Sequence, residues 1–170
     1  PSQAGVKAKA RPCPRPAPPC IRARAPRHGR MLPSGPCSIR YYPPENFGYI
    51  EEDLYRSSLP KPLNFPFLDT LKLKTIIYLS SDKPSTKLER FCEEQKIEFV
   101  RPEAERSRST TLSEEAVIRS LEMMLDNNHY PLLVACQLGR HKTGMVVGCL
   151  RKLQKWSLSS TFAEYQRYAG

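Results

Sequence analysis

The segment from Leu132 to Gly144 combines a cysteine, two glycines and three basic side chains within thirteen residues. An apolar run leads to Cys136, a short loop with Gly139 follows, and a helix is predicted from Thr143. Glycines let backbone N–H groups turn towards one point, and a helix N-terminus favours negative charge there. A cysteine at such a point is favoured as a thiolate, which is the nucleophilic form. The pattern therefore predicts a phosphate site with Cys136 as the nucleophile.

Other side chains of this loop can help to hold an anion. Thr143 carries a hydroxyl that could stabilise Cys136 as a leaving thiolate, and the basic residues add positive charge around the bound group. The competing interpretation is a buried structural cysteine, because free cysteine is among the most often buried residue types. The glycines and basic residues favour the phosphate site. The predicted substrate-binding residues are Gln137, Leu138, Gly139, Arg140, His141 and Gly144.

Hydrophobic periodicity on both sides of the loop predicts an α/β fold with a central, mostly parallel sheet flanked by helices. Strand patterns cover residues 54–57, 74–79, 97–100 and 132–135, and helix patterns cover 65–73, 85–95, 113–127, 143–154 and 159–168. Alternating strands and helices indicate a parallel sheet, in which ligands bind beyond the carboxyl ends of the strands. Cys136 follows one of those ends, so the predicted topology also places it at a ligand site.

The helix predicted over residues 113–127 has two possible starts. Ser113 is a good N-cap, followed by Glu114 and Glu115 at the positive end of the helix dipole. Thr111 with Glu114 offers a capping box in an earlier register. The buried face is predicted to contain Leu112, Ala116, Leu121, Met124 and Leu125.

Composition divides the 170 residues into two parts. Residues 1–44 contain nine of the 27 Lys and Arg, eleven of the 17 prolines and no acidic residue, so they carry almost all of the net charge of +10. We predict a disordered Pro/Arg-rich basic tail over residues 1–40 and a single domain over residues 41–170. A targeting peptide, or a natural start at Met31 with residues 1–30 as a sequence artefact, are the alternatives for the tail.

Several functional classes are disfavoured by the sequence. No run approaches the ~18 apolar residues of a membrane span. Cys92, Cys136 and Cys149 lack CxxC spacing, so we expect neither a metal nor another cofactor. The tail has no aromatic residue within positions 1–40 to stack on bases, which disfavours nucleic acid as a partner. A reducing, cytoplasmic compartment suits a catalytic thiol.

The loop and six further segments resemble the plant and fungal atypical dual-specificity phosphatases, a group that includes the fungal oxidant-induced cell-cycle arrest proteins. The six segments are residues 42–47, 54–57, 64–68, 73–79, 148–157 and 162–168. The resemblance implies the compact cysteine-phosphatase fold, with the phosphate-binding loop between the last core strand and a helix. The family usually continues with one more helix beyond Tyr168, so we expect that the sequence is truncated.

The resemblance also implies an activity. Members of the family hydrolyse phosphotyrosine-type substrates or the β-phosphate of diphosphoinositol polyphosphates through a phosphocysteine intermediate. A role in the oxidative stress response and hetero-oligomers with related phosphatase-like proteins are further expectations from the resemblance.

Two positions around the cysteine depart from the family's pattern. The family carries arginine six residues after the cysteine, where this chain has Lys142. Arginine grips two phosphoryl oxygens with a planar fork, whereas lysine is a flexible point charge. Losing one preorganised transition-state contact costs about 10²–10³ in rate, although Arg140 could compensate in part. The family's histidine before the cysteine is replaced by Ala135.

The third departure concerns the general acid, which the family places between the strand ending at Val100 and the helix at Ser113. This stretch contains no aspartate. Glu105 or Glu103 could donate the proton to the leaving group, and a solvated mixed-charge loop is an equal alternative. A phosphoanhydride leaving group needs little protonation, so a missing acid would impair its cleavage less.

The sequence therefore predicts a cysteine-dependent phosphatase that is weakened by the lysine in its loop. The predicted catalytic residues are Cys136, Lys142, Thr143 and Glu105. The alternative is a pseudophosphatase, which keeps the anion loop as a binding or scaffolding module.

Overall fold

The computed structural model describes residues 40–102 and 112–169. Its strands are Gly48–Glu51 (β1), Leu54–Ser58 (β2), Thr75–Tyr78 (β3), Glu98–Val100 (β4) and Leu132–Cys136 (β5). Its helices are Phe65–Leu71 (α1), Thr86–Gln95 (α2), Glu114–Leu125 (α3), His141–Leu153 (α4) and Leu158–Ala169 (α5), with 3-10 turns at Pro62–Asn64 and Asn127–His129. The predictions for residues 1–39, for Glu103, for Glu105 and for Thr111 lie outside the described residues.

The strands form one sheet in the order β1-β2-β5-β3-β4. The pairs β2–β5, β5–β3 and β3–β4 are parallel, and β1 pairs with β2 in the antiparallel direction. This arrangement confirms the predicted α/β fold with a mostly parallel sheet. All five residues of the central strand β5 are buried, as expected for a strand covered on both faces.

Strand β1 was absent from the sequence prediction. Its side chains alternate between buried and exposed positions, with Ile50 inside and Tyr49 outside. Such alternation is typical of an antiparallel strand with one solvated face. Because only Glu52 and Asp53 separate β1 from β2, the pair is a tight hairpin at the edge of the sheet.

Helices cover both faces of the sheet. One core cluster joins α3 and α4 to the face that carries Leu54, Val134 and Cys136, and the other joins α1 and α2 to the face that carries Tyr55 and Leu133. Successive residues of a strand point to opposite faces. The candidate nucleophile therefore lies on the α3/α4 side of the sheet.

The start of α3 follows the first of the two predicted registers. The hydroxyl of Ser113 accepts a hydrogen bond from the N–H of Ala116 at 3.2 Å. The predicted buried face was wrong at Leu125, whose side chain is 62% exposed. Ala116, Ser120 and Met124 form the buried stripe, and Leu125 lies 100° around the helix from Met124.

Candidate active site

Cys136 is the last residue of β5 and lies at the carboxyl edge of the sheet. It is opposite Ser58 of β2, and the preceding Ala135 is opposite Tyr78 of β3. The side chain of Cys136 is only 5% exposed. Parallel sheets bind ligands at this edge. Cys136 therefore lies between β2 and β3 at the edge where the sequence predicts a ligand site.

A four-residue loop, Gln137 to Arg140, connects Cys136 to α4. The helix begins at His141, two residues earlier than predicted, so Lys142 and Thr143 belong to its first turn. The Arg140 side chain makes no capping hydrogen bond to the helix start. The first N–H groups of a helix have no partner within the helix, so those of α4 are directed at whatever occupies the loop.

The structure brings the predicted loop residues together, with different exposures. Gln137, Leu138, Arg140 and His141 are exposed and Lys142 is half-buried, whereas Gly139, Thr143 and Gly144 are buried. The hydroxyl of Thr143 is buried without a hydrogen-bond partner in the described part of the chain. An unsatisfied buried hydroxyl costs about 1–3 kcal/mol, which suits a group that acts on a ligand of the loop.

Gly139 lies directly against strand β2. Its φ of +68° lies in the left-handed region, which favours glycine. A Cβ atom at this position would lie 2.5 Å from the backbone nitrogen of Ser58 and 2.6 Å from the carbonyl carbon of Ser57. Only glycine therefore allows the loop to approach β2 this closely.

Two loop carbonyls accept hydrogen bonds from side chains that precede or belong to β2. The Nδ2 group of Asn46 donates to the carbonyl of Leu138 at 2.8 Å. The Nη2 group of Arg56 donates to the carbonyl of Gly139 at 3.0 Å. The side chain of Arg56 is completely buried, and its Nε and Nη1 have no hydrogen-bond partner among the described residues. A cation is thus buried beneath the loop.

Burial and neighbouring side chains have opposite effects on the pKa of Arg56. Burial lowers the pKa of Arg56 from its usual value, whereas interaction with Tyr168, Glu164 and Cys136 raises it. The guanidinium also lies over the ring of Tyr168, with Cζ 3.7 Å from the ring centroid. Arginine stays protonated in proteins, so Arg56 carries its charge in this buried place. The contact with the Tyr168 ring partly offsets the cost of burying that charge.

The first loop residue is held from β3. The hydroxyl of Tyr78 donates to Oε1 of Gln137 at 2.8 Å. Burial raises the pKa of Tyr78 from its usual value, so the hydroxyl remains protonated and able to donate at neutral pH.

Helix α5 contacts the outer side of the loop through a tyrosine. The hydroxyl of Tyr165 is 2.8 Å from Nδ1 of His141, and its ring lies over Gly144, where a Cβ atom would be 2.7 Å from Tyr165 Cδ2. Helix α5 therefore packs against the first turn of α4. It also reaches beneath the loop, where the ring of Tyr168 contacts Arg56.

Four residues that contact the loop or the first turn of α4 were not among the predicted site residues: Asn46, Arg56, Tyr78 and Tyr165. The sequence carried one weak signal, a charged residue inside the strand predicted over residues 54–57. Only the structure shows that all five residues of this strand are buried, and charged residues are almost never fully buried unless they are paired. Within the described residues, no group of three or more His, Cys, Asp or Glu could hold a metal ion. Among the same residues, no helix is long and apolar enough to cross a membrane.

Comparison with known proteins agrees with this geometry. The sequence model described as "Tyrosine phosphatase family" matches residues 41–170. The chain belongs to the tyrosine phosphatase family. A probable tyrosine-protein phosphatase of Dictyostelium discoideum, DG1060, is 50% identical over 132 residues, which cover 76% of this chain and 80% of that protein. The OCA1 protein of Yarrowia lipolytica is 43% identical over 139 residues, which cover 79% of this chain and 54% of OCA1.

A solved structure is similar in fold as well as in sequence. The core catalytic domain of the PP-IP phosphatase SIW14 from S. cerevisiae, crystallised with citrate, has a TM-score of 0.71 and 35% identity to this chain. The match covers 76% of this chain and 79% of that domain. These findings confirm the resemblance: this tyrosine phosphatase belongs to the fungal OCA1/Siw14 group and is a hydrolase of the cysteine-phosphatase type.

Proposed function

We propose that this tyrosine phosphatase uses Cys136 as its nucleophile. The thiolate sulfur would form a bond to phosphorus while the bond from phosphorus to the leaving oxygen breaks. Water would then attack the phosphocysteine, releasing inorganic phosphate and returning the thiolate. The observation that carries this proposal is the position of Cys136 at the carboxyl end of the central strand, separated from the first turn of α4 by a loop of four residues.

We propose a phosphomonoester or the phosphoanhydride of a diphosphoinositol as substrate. The names of DG1060, a tyrosine-protein phosphatase, and SIW14, a PP-IP phosphatase, support these two classes. A phosphoanhydride leaving group is a weak base and needs little protonation. The phosphoanhydride would therefore depend less on Glu105, the predicted general acid, than a phosphotyrosine would.

Lys142 is proposed to limit the rate. It lies half-buried in the first turn of α4, six residues after Cys136. Its ammonium is a point charge, which cannot make the paired hydrogen bonds of a guanidinium to two phosphoryl oxygens. Lysine at this position also supports the alternative function, a pseudophosphatase that binds phosphorylated ligands without hydrolysing them.

The experiment compares wild type with Cys136→Ser and Lys142→Arg, using an aryl phosphate and a diphosphoinositol as substrates. We expect wild type to release phosphate, Cys136→Ser to abolish release, and Lys142→Arg to increase kcat by about 10²–10³. Lys152→Arg is the matched control, because Lys152 is exposed in the last turn of the same helix.

Three outcomes would each contradict one part of this proposal. If wild type binds the two substrates but releases no phosphate, the protein is a pseudophosphatase. Activity that survives in Cys136→Ser would remove Cys136 as the nucleophile. An unchanged kcat in Lys142→Arg would show that lysine does not limit the rate.

We also propose a cytoplasmic location and assembly with related phosphatase-like proteins. The location follows from the need of a catalytic thiol for a reducing compartment, and the assembly follows from the family resemblance alone. Size-exclusion chromatography of the protein isolated from its natural source tests the assembly, and elution as a single copy would contradict it.

A further inference from the structure

The peptide units on either side of Gly139 have their carbonyls turned towards Asn46 and Arg56. The cis peptide bond of the described residues is Tyr130–Pro131, so both loop units are trans. In a trans peptide the C=O and N–H groups point in opposite directions. The N–H of Gly139 therefore points away from Asn46, and the N–H of Arg140 points away from Arg56.

We propose that Asn46 and Arg56 are positioning residues of the phosphatase reaction. By holding the carbonyls of Leu138 and Gly139 outside the loop, they turn the N–H groups of Gly139 and Arg140 towards the bound phosphoryl group. The inference rests on the proposed function, in which this loop holds phosphate. Donors that are oriented before the substrate arrives stabilise charge without paying for reorganisation during the reaction.

The location of Arg56 supports this role. Strand alternation places Arg56 on the same face of the sheet as Leu54, and that face also carries Cys136. A buried charge is costly unless it is paired, and the only hydrogen bond that the structure gives this guanidinium among the described residues goes to Gly139. An anion held in the loop would offset that charge, so phosphate binding and the burial of Arg56 favour each other.

The location of Asn46 is fixed by backbone contacts. The carbonyl of Glu45 accepts a hydrogen bond from the N–H of Ser58 at 2.8 Å, which joins this segment to the end of β2. Asn46 itself has a φ of +53°, a conformation that asparagine, aspartate and glycine adopt more readily than other residues. Its amide is thus held at a fixed place beside the loop.

The test uses variants that remove or alter the donor groups and keep the backbone conformation accessible. Asn46→Asp preserves the shape and loses the Nδ2 donor, and Asn46→Gly loses it without adding negative charge. Arg56→Lys keeps the charge and loses the planar fork. The first measurement is the Kd of inorganic phosphate by titration calorimetry, which needs no turnover; kcat and KM for an aryl phosphate and the melting temperature follow.

The chain offers matched controls for both positions. Asn64 donates its Nδ2 to the carbonyl of Tyr42 at 3.0 Å, so Asn64→Asp removes a similar bond away from the loop. Arg151 is buried, lies over the ring of Trp156 at 4.2 Å and donates to the carbonyl of Ile50 at 2.7 Å. Arg151→Lys therefore measures the structural cost of changing a buried arginine.

We expect Asn46→Gly and Arg56→Lys to weaken phosphate binding and lower kcat/KM by about 10- to 100-fold, less than the 10²–10³ typical of removing a donor outright. The controls should lower the melting temperature and leave the Kd of phosphate within twofold of wild type. Asn46→Asp should bind phosphate at least as weakly as Asn46→Gly, because its charge also repels the ligand.

An unchanged Kd of phosphate in folded Asn46→Gly would overturn the inference, and so would controls that weaken binding as much as the loop variants do. If Arg56→Lys does not fold, the two Asn46 variants decide. Cys136→Ser separates this inference from the proposed function. Turnover by that variant would remove the proposed nucleophile, while a tenfold loss of phosphate binding in Asn46→Gly would still support the positioning role.

Discussion

Replacing Gly139 with alanine tests how closely the loop must approach β2. The new Cβ atom would lie 2.5 Å from the nitrogen of Ser58 and 2.7 Å from the carbonyl oxygen of Ser57, closer than the 3.4 Å at which ordinary contact begins. Both neighbours are backbone atoms of a paired strand, so they cannot rotate away. The loop itself has to move, and its hydrogen bond from Arg56 has to lengthen or break.

The expected cost has two parts. Alanine in the left-handed region costs about 1–2 kcal/mol. Losing a hydrogen bond that involves a charged group, here Arg56 to the Gly139 carbonyl, costs about 1.5–3 kcal/mol. Together they predict that the free energy of unfolding falls by about 3–5 kcal/mol, a large share of the stability of a typical domain.

Urea denaturation measures this change, and titration with inorganic phosphate measures the accompanying loss of binding. Gly148→Ala is the control, because Gly148 lies within α4 and a Cβ atom there would meet only Thr161 Cγ2, at 3.8 Å. Alanine should stabilise that helix by up to about 1 kcal/mol. A fall of less than about 1 kcal/mol in Gly139→Ala, with unchanged phosphate binding, would refute the argument that the loop must pack against β2.

One further substitution and one labelling experiment test other features of the structure. Tyr78→Phe removes the hydrogen bond to Gln137 and should weaken phosphate binding about fivefold, or about 1 kcal/mol. Because burial raises the pKa of Tyr78, its hydroxyl stays protonated, and the difference from wild type should be equal at pH 6 and pH 8. A difference confined to pH 6 would contradict this expectation. Native Cys149 is exposed and should react with iodoacetamide at pH 8, whereas burial raises the pKa of Cys92 to about 11 and should protect it. Mass spectrometry of the digested protein measures both thiols, and equal labelling would show that Cys92 is accessible.

The sequence predicted the parts of the molecule that depend on local pattern. The strand before Cys136 is a continuous apolar run, and apolar residues recur at helical spacing in the segment after the loop, so the two patterns locate the loop between them. The predicted start of α4 was two residues too late, because His141 and Lys142 are not apolar and resemble loop residues. The short strand β1 has only four residues, too few for a reliable alternation.

The residues that support the loop could not be found in this way. Asn46, Arg56 and Tyr78 lie 92, 83 and 59 positions from the loop residues that they contact. No local pattern links residues this far apart; sheet order and register bring them together. Arg56 reaches Gly139 because β2 and β5 are neighbours in the sheet, a relation that becomes visible only once the chain is folded.

Two tyrosines of α5 support the site, although they are synthesised after the sheet and the loop. Tyr165 contacts the first turn of α4 and Tyr168 stacks on Arg56, yet both are translated after every strand of the sheet. While the chain emerges from the ribosome, the sheet and the loop are made before the helix that supports them. The contacts of α5 with Arg56 and with α4 can therefore form only after the sheet and the loop have been synthesised.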